Sequence, residues 1–248
     1  MTIDCSFNWP EIRRIAGPSI RPGGPVLTGR ALEVCGLPPG ARVADIGCGA
    51  EETLEHLERA GIVRSVGLDH SETLLGEATP RLRSGRLVRG RAEALPFKNG
   101  YFNALFCECV LSILGDRVMA LHEFARVVRK GGFLIVSDVF GRSGCGQGQP
   151  KEKLQGPGAE GPLAKEDLFG VLARLGFSLL LWEEHERVLK EFVARMILAG
   201  VRLPDPWRCR QGQEGKKTDR ARISYFLLVA RKGGDCLSVG RDEGAGKL

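Results

Sequence analysis

Two aspartates with a glycine turn between them are the residues best suited to chemistry in this chain of 248 residues. Asp45 lies at the end of an apolar stretch, just before Gly47 and Gly49, and Asp69 follows about twenty residues later. This separation matches one helix-and-strand crossover, which in nucleotide-binding folds brings a carboxylate to a ribose. An ionised carboxylate offers two acceptor oxygens to the two adjacent ribose hydroxyls. We therefore expect Asp69 to anchor a nucleoside.

The stretch from Gly47 to Gly49 predicts a tight turn between a strand and a helix, because glycine accepts the backbone angles that such turns need. Free N–H groups at the start of the helix can meet a carboxylate or a phosphate. A dinucleotide-binding turn would need a third glycine where this chain has Glu52. Asp45 can instead accept from an ammonium group. A purely structural turn also explains the glycines, but it does not explain the pairing of Asp45 with Asp69.

Alternating strand and helix patterns must position these residues. Short apolar runs predict strands near 42–46, 65–69, 86–89, 102–107, 132–138, 177–182 and 223–230. Helical spacing predicts helices near 27–35, 51–60, 71–79, 116–129, 165–175 and 184–199, with Ser71 and Asp116 as N-caps and with Gly131 and Gly132 closing the helix 116–129. This alternation is typical of an α/β protein with a parallel sheet covered on both faces.

The sequence predicts one large domain between two irregular terminal segments. Residues 1–25 are rich in proline and glycine and are expected to be irregular, and residues 26–231 form the domain. Within it, residues 141–162 carry mostly glycine, proline and polar side chains, which predicts a mobile lid loop. Residues 232–248 are rich in glycine and charge, which predicts a disordered tail.

Composition and charge limit the classes of protein to which the chain can belong. With 43% hydrophobic residues the chain can bury a full core, and no apolar run approaches the ~18 residues that span a bilayer. The chain shows no signal pattern at its start and no paired cysteine spacing, which predicts a cytoplasmic protein with reduced thiols and no metal site. The net charge of +6 is compatible with nucleic-acid binding. Scattered arginines and few tyrosines favour a solvated surface instead.

Four motifs in order resemble class I S-adenosylmethionine-dependent methyltransferases. They are Asp45-Ile46-Gly47-Cys48-Gly49, Gly67-Leu68-Asp69, Ala92-Glu93-Ala94-Leu95-Pro96-Phe97, and the run from Arg126 to Gly132 with Ser137 and Asp138. The resemblance is closest to the small-molecule branch that includes quinone and arsenite methyltransferases. It implies a Rossmann-like doubly wound sheet of seven strands, mostly parallel with the last strand antiparallel. It also implies S-adenosylmethionine at the carboxyl ends of the first strands.

The resemblance assigns roles to individual residues. Asp45, Gly47 and Gly49 would line the methionine part with Cys48 between the glycines, and Asp69 would hold the ribose hydroxyls. Beside the adenine and the sulfonium, the implied neighbours are His70 with Leu68, Ala92, Glu93, Cys107 and Glu108. Two positions depart from the family pattern: Glu51 stands where a third glycine is usual, and Arg91 where an acidic residue is frequent. These departures leave open a non-catalytic module that binds S-adenosylmethionine, and the positive charge leaves open an RNA methyltransferase.

The substrate side is expected at the end of the fourth strand, at Cys107-Glu108-Cys109. Together with Cys145 in the lid, these thiols could bind a soft metalloid, although burial in the core is the stronger reading because cysteine is often buried and alternate strand residues share a face. Asp138 could face the substrate or cap the turn at Gly141. We expect the methyl acceptor, a small molecule, to enter between the lid and the segment 21–24. Neither the acceptor atom nor the oligomeric state follows from the sequence.

Overall fold

A computed structural model describes residues 21–50, 52–80, 82–141, 163–198 and 223–233. The predicted irregular segment before residue 21 therefore lies outside the described residues, and so do the predicted lid after Gly141 and the predicted tail after residue 233. Cys145 and Glu51 lie outside them as well. The expectations placed on these segments stay predictions.

Helices and strands alternate along the described chain. The helices are α1 (Gly24–Cys35), α2 (Glu52–Arg59), α3 (Glu72–Ala78), α4 (Arg117–Val127), α5 (Lys165–Arg174) and α6 (Glu186–Leu198), with a short 3-10 helix at Leu111–Ile113. The strands are β1 (Arg42–Ile46), β2 (Arg64–Asp69), β3 (Arg86–Arg89), β4 (Phe102–Glu108), β5 (Val128–Gly141), β6 (Leu163–Ala164), β7 (Phe177–Glu184) and β8 (Ile223–Lys232).

One sheet runs through the described residues in the order β3-β2-β1-β4-β5-β8-β7, and the two-residue β6 pairs with the end of β5. Strands β1 to β5 are parallel, whereas β8 is antiparallel to both β5 and β7. This confirms the predicted Rossmann-like arrangement with an antiparallel last strand. The strand order reverses between β1 and β4, and ligands of open α/β sheets bind outside the carboxyl ends of strands at such a point.

Helices cover both faces of the sheet. Side chains from α4 and α5, such as Phe124 and Leu168, pack with Ile46 of β1 in one buried cluster. On the opposite face, Ala31 of α1 and Leu54 of α2 belong to a second cluster. Burying each large apolar side chain contributes about 1.5–3 kcal/mol, so the two layers hold the strand ends in fixed positions. In the described part of the chain, no helix is long and apolar enough to cross a bilayer.

Two predicted N-caps are confirmed, but the predicted end of α4 is wrong. Ser71 and Asp116 are N-caps as expected, since their side chains accept from the third following amide at 3.3 and 2.9 Å. Gly131 and Gly132 do not close α4, which ends at Val127; both lie in β5, because Val128 already pairs with Phe102 of β4. The helix therefore ends where pairing with β4 begins, before the chain reaches the two glycines.

The first helix begins earlier than predicted, at Gly24 instead of residue 27. Gly23 has a left-handed φ of 77°, and Pro25 stands in the first turn, where its missing N–H has no intrahelical partner to lose. A Cβ on Gly23 would lie 2.6 Å from Leu27. This turn therefore sets the direction in which Arg21 enters the structure, at the carboxyl edge of the sheet.

Candidate active site

The turn after β1 is held against the end of β2 by its own backbone. The amides of Gly47 and Cys48 both donate to the carbonyl oxygen of Leu68, at 2.7 and 3.1 Å. Gly47 and Gly49 have left-handed φ angles of 74° and 53°, which side chains rarely adopt. A Cβ at position 47 would lie 2.2 Å from Val110 Cγ2, whereas a Cβ at position 49 meets open space among the described residues. The turn thus presents bare backbone beside Gly49.

Asp69 is buried at the end of β2 and accepts from two backbone amides. Its Oδ2 accepts from Gly49 N at 2.9 Å, and its Oδ1 accepts from Ser71 N at 2.8 Å. A carboxylate has about four lone-pair positions, so acceptor capacity remains for two hydroxyl donors. The side chain of His70 is 76% exposed, with Nδ1 3.5 Å from Asp69 Oδ1. The carboxylate that the sequence singles out is therefore held beside the glycine turn.

Asp45 is buried at the end of β1, in an environment that opposes its charge. Burial raises the pKa of this carboxyl well above its usual range, and the nearby negative charges of Glu108 and Asp69 raise it further. The positive charge of Arg21 acts in the opposite direction. The ionised form of Asp45 is therefore costly unless a cation lies beside it.

Glu108, at the end of β4, is the centre of a hydrogen-bonded network. Arg21 Nη1 donates to Glu108 Oε1 at 2.6 Å, and Thr53 Oγ1 donates to Glu108 Oε2 at 2.5 Å. The hydroxyl of Thr28 also donates to Oε1, at 3.3 Å. The carboxyl side chain is only 3% exposed, so these donors replace water around a buried charge.

The guanidinium of Arg21 lies between three elements. Besides Glu108, it donates from Nη2 to Thr28 Oγ1 at 2.8 Å, and its Nε is 3.4 Å from Glu52 Oε2 at the start of α2. Burial alone would lower the pKa of this side chain, but the carboxylates of Glu108 and Glu52 outweigh burial and raise it. The side chain is 10% exposed. A cation from the segment before α1 is thereby placed among the carboxylates of the site.

Cys107 at the end of β4 and Cys109 just after the strand do not share one environment. Cys107 is fully buried in the cluster with Ile46, whereas Cys109 packs with Tyr225 in a separate cluster. The expectation of a common face is wrong, because β4 ends at Glu108 and Cys109 has a left-handed φ of 58°. Burial raises the pKa of both thiols, which keeps them protonated. Among the described residues, no group of three side chains is arranged to hold a metal ion.

Asp138 lies in the interior and fastens the 3-10 helix that follows β4. Its Oδ2 accepts from Ser112 N at 2.9 Å, and its Oδ1 accepts from Val139 N at 2.7 Å. Both partners lie away from Gly141, so the cap predicted there is not formed by these bonds. Burial raises the pKa of this carboxyl. Asp138 thus positions the segment beside Glu108.

The loop after β3 carries the remaining predicted cofactor residues. Ala92 is buried, and the carboxylate of Glu93 lies 3.5 Å from Arg91 Nη2. Arg91 also forms an isolated bridge with Ala94. The arginine that departs from the family pattern therefore pairs with the acidic residue two positions later, close to the end of β2, where Gly90 N donates to Asp69 O at 2.9 Å.

Sequence reasoning missed the residues that surround Glu108. The sequence presents Arg21 only as part of an irregular segment, and nothing in the spacing singles out Thr28 or Thr53. Arg21 is 87 residues from Glu108 along the chain, and Thr53 is 55 residues away. One local signal was available: an arginine directly before Pro22 and two glycines, at the start of a helix, enters the fold in a fixed direction.

The glycine turn, Asp45, Asp69 and Glu108 lie within a region that resembles known proteins. Residues 44–136 match the family model of a methyltransferase domain. The chain is 34% identical over 107 residues to demethylmenaquinone methyltransferase from Beutenbergia cavernae, in a match that covers 43% of this chain and 44% of that protein. The chain thus spans less than half the length of this curated relative.

Solved structures share the fold over more of the chain. The cyclase SpnF superposes with a TM-score of 0.69 at 20% identity, covering 91% of this chain and 93% of that one. Phosphoethanolamine N-methyltransferase 2 from Haemonchus contortus, solved with S-adenosyl-L-methionine, gives a TM-score of 0.67 at 15% identity over 90% of this chain and 56% of that one. At these identities the likeness concerns the fold alone. The resemblance to class I methyltransferases is confirmed by the family model from β1 into β5.

Proposed function

We propose that this protein transfers the methyl group of S-adenosylmethionine to a small molecule. The observation that carries the proposal is the pair Asp45 and Asp69 at neighbouring strand ends, on either side of a turn with bare backbone at Gly49. The family model over residues 44–136 supports the same activity. The relative from Beutenbergia cavernae, by its name, acts on a quinone precursor, which supports a small-molecule acceptor.

The residues fit such a cofactor. Asp69 retains acceptor capacity for the ribose hydroxyls, and the carboxyl of Asp45, buried near the end of β1, could accept from the cofactor's ammonium group. The open space beside Gly49 leaves room for close backbone approach, whereas the Cβ side of Gly47 is packed against Val110. We assign His70, Ala92, Glu93 and Cys107 to the surroundings of the adenine and the sulfonium, and Cys48 to the glycine turn that would line the methionine part; Ala92 and Cys107 are buried.

The bound cofactor would supply an electrophilic methyl group, whose transfer releases the thioether S-adenosylhomocysteine. The chain's own residues then mainly align the acceptor and exclude water, and such positioning contributes about 7–11 kcal/mol. Glu108 is the polar side chain at the end of β4 that we assign to the acceptor, which it would orient by accepting a hydrogen bond. The substrate would enter over Cys107-Glu108-Cys109, past the segment that begins at Arg21. Asp138 supports this edge by holding the 3-10 helix.

We also propose that the protein works in the cytoplasm and does not act on nucleic acid. The described cysteines, Cys35, Cys48, Cys107 and Cys109, are free thiols, which suits a reducing compartment. The scattered positive charges suit a solvated surface.

Calorimetry with S-adenosylmethionine and S-adenosylhomocysteine tests the proposal directly. Binding of both, without binding of a nicotinamide dinucleotide, is the expected result. Binding without turnover on a panel of small nucleophiles, quinols included, would instead favour a non-catalytic module. RNA binding that weakens steeply with salt would favour the RNA methyltransferase, because phosphate contacts release counterions. Failure to bind either compound would contradict the proposal.

A further inference from the structure

Positive charge lies along the edge of the sheet that is opposite the candidate active site. The sheet topology gathers cations that are scattered along the sequence: they begin β1, β2 and β3, follow the first residue of β5 and end the antiparallel β8. We call this set the amino edge, and its members are Arg42, Arg64, Arg86, Arg129, Lys130, Arg231 and Lys232. Neighbouring strands are about 4.8 Å apart, so the row extends over about 24 Å from β3 to β8.

Two arginines of the amino edge are direct neighbours. Arg42 of β1 and Arg64 of β2 are register partners in a parallel pair. Like charges at such positions repel each other, which is destabilising unless an anion lies close to them. Within the described residues, Arg64 and Arg86 are exposed and form no salt bridge. The amino edge therefore presents positive charge to which an anionic partner can bind.

Two acidic side chains near this edge are engaged with other groups. Glu58 of α2 accepts from the amides of Ser84 and Gly85, just before β3, at 2.7 and 2.9 Å. Glu123 of α4 pairs with Arg126, with 2.7 Å between Oε1 and Nε. Neither carboxylate forms a salt bridge with the arginines that begin the strands.

Helix ends account for only part of the positive charge. Lys232 donates to the carbonyl oxygens of Ala125 and Val128 at the end of α4, where a cation suits the helix dipole. Arg64 and Arg86 begin strands, so this explanation does not apply to them.

The carboxyl edge of the same sheet has the opposite charge. Asp45, Asp69 and Glu108 lie at or near strand ends there, in the candidate active site. The sheet is thus electrically polar along its strands. A negatively charged surface would attract the amino edge and repel the carboxyl edge, which fixes the orientation of the molecule on that surface.

We propose that the amino edge docks on an anionic lipid bilayer, with the candidate active site facing the water. A row of cations at the end of a sheet suits a planar negative surface, where each Lys or Arg raises the affinity about fivefold. Val63 and Tyr101 are exposed beside Arg64 and Arg42. A tyrosine suits the boundary between headgroups and acyl chains, because one end of its ring is apolar and the other is polar.

A nucleic acid is the polyanion that fits this edge less well. Single strands are bound by stacking bases on aromatic rings. The ring of Tyr101 has the guanidinium of Arg42 over one face, 4.6 Å from its centre, and it packs edge-to-face against Phe102. The aromatic side chain of the amino edge is therefore already stacked.

The test is flotation of the protein with lipid vesicles at about 0.1 M salt. Wild-type protein should bind phosphatidylcholine vesicles that contain about 30% phosphatidylglycerol, and it should not bind vesicles of phosphatidylcholine alone. The double variant Arg64→Glu with Arg86→Glu should bind the charged vesicles at least about 30-fold more weakly, because two attractive charges are lost. Urea unfolding of the variant checks that it is folded.

A matched variant changes the net charge equally at the other edge. Arg187→Glu with Lys190→Glu alters two exposed cations of α6, a helix whose Leu189 packs with Val139 near the end of β5. Because these positions lie away from the amino edge, vesicle binding should change by less than about threefold.

Three results would overturn the inference. The first is a wild-type protein that does not bind the charged vesicles. The second is an equal loss in both double variants, since total charge and not the amino edge would then be responsible. The third is a short single-stranded RNA that displaces the protein from vesicles and binds through Arg64 and Arg86, which would assign the edge to nucleic acid. These results do not involve the methyl donor, so the proposed function stands or falls on its own calorimetry.

Discussion

The ends of β2 and β4 each bury one carboxylate, but the two are held by different kinds of donor. Asp69 accepts from the backbone amides of Gly49 and Ser71. Glu108 accepts from side chains of α1, of α2 and of the segment that precedes α1, namely Thr28, Thr53 and Arg21. Backbone donors stay in place when a ligand binds, whereas side-chain donors can turn away. Asp69 thus suits a permanent binding role and Glu108 a role that changes during the reaction.

The site around Asp69 should be most sensitive to substitution in the glycine turn. Gly47→Ala would place a Cβ 2.2 Å from Val110 Cγ2 at a left-handed φ of 74°. The turn or the 3-10 segment has to shift, which should cost about 3 kcal/mol of unfolding free energy and abolish binding of S-adenosylhomocysteine. Urea unfolding and calorimetry measure the two effects.

Gly49→Ala is the matched control, since its φ is 53° but its Cβ would meet open space among the described residues. We expect only the backbone strain, about 1 kcal/mol. Equal losses in the two variants would mean that Val110 does not constrain the turn.

Asp69→Ala tests the permanent binding role itself. Two ribose hydroxyls would lose a charged acceptor, and Gly49 N would lose its side-chain partner. Binding of S-adenosylhomocysteine should weaken by about 1.5–3 kcal/mol or more in calorimetry. Unchanged affinity in a folded variant would show that the ribose lies elsewhere.

The same contrast explains what could be predicted from the sequence. Asp69 and the turn at Gly47 were predictable because glycine angles and a carboxylate near backbone amides follow from local spacing. The pairing of Glu108 with Arg21 was not, because it joins residues 87 positions apart through side-chain directions that spacing does not contain. The prediction of where α4 ends was wrong for a related reason, since the pairing of Val128 with Phe102 is a long-range contact.

Glu108→Gln tests the exchangeable side of the comparison. The amide keeps the shape and can still accept from Thr53, but it loses the charge that orients the acceptor. Turnover should fall by about tenfold, corresponding to about 1.4 kcal/mol, while S-adenosylhomocysteine binding stays nearly unchanged. Loss of cofactor binding would place Glu108 in the cofactor site, and unchanged turnover on an identified substrate would make it structural.

Asp45→Asn should raise the stability of the folded protein while weakening cofactor binding. Burial and Glu108 raise the pKa of Asp45 in the folded protein, so its contribution to stability is full below the ordinary aspartate pKa and is lost as pH rises through the raised one. Asparagine does not titrate. The variant should therefore gain unfolding free energy over the wild type near pH 8, with a smaller gain near pH 5, as urea unfolding would show.

Binding should change in the opposite direction in the same variant. S-adenosylmethionine should bind several-fold more weakly to Asp45→Asn, because its ammonium group loses a carboxylate acceptor. A stability gain that does not depend on pH would mean that the charge of Asp45 is already compensated in the folded protein.

The smallest effect is expected just beyond the end of β4, where a hydroxyl joins two strands. Tyr225 lies on β8, and its oxygen is 3.1 Å from both Cys109 Sγ and Ser137 Oγ. Tyr225→Phe keeps the ring in its cluster but leaves these two groups without that partner, so unfolding free energy should fall by about 0.5–1.5 kcal/mol. S-adenosylhomocysteine affinity should not change, because this hydroxyl supports Cys109 and not the end of β2. A clear loss of affinity would show that a shift of Cys109 also displaces the glycine turn. The ends of β2 and β4 would then be structurally coupled.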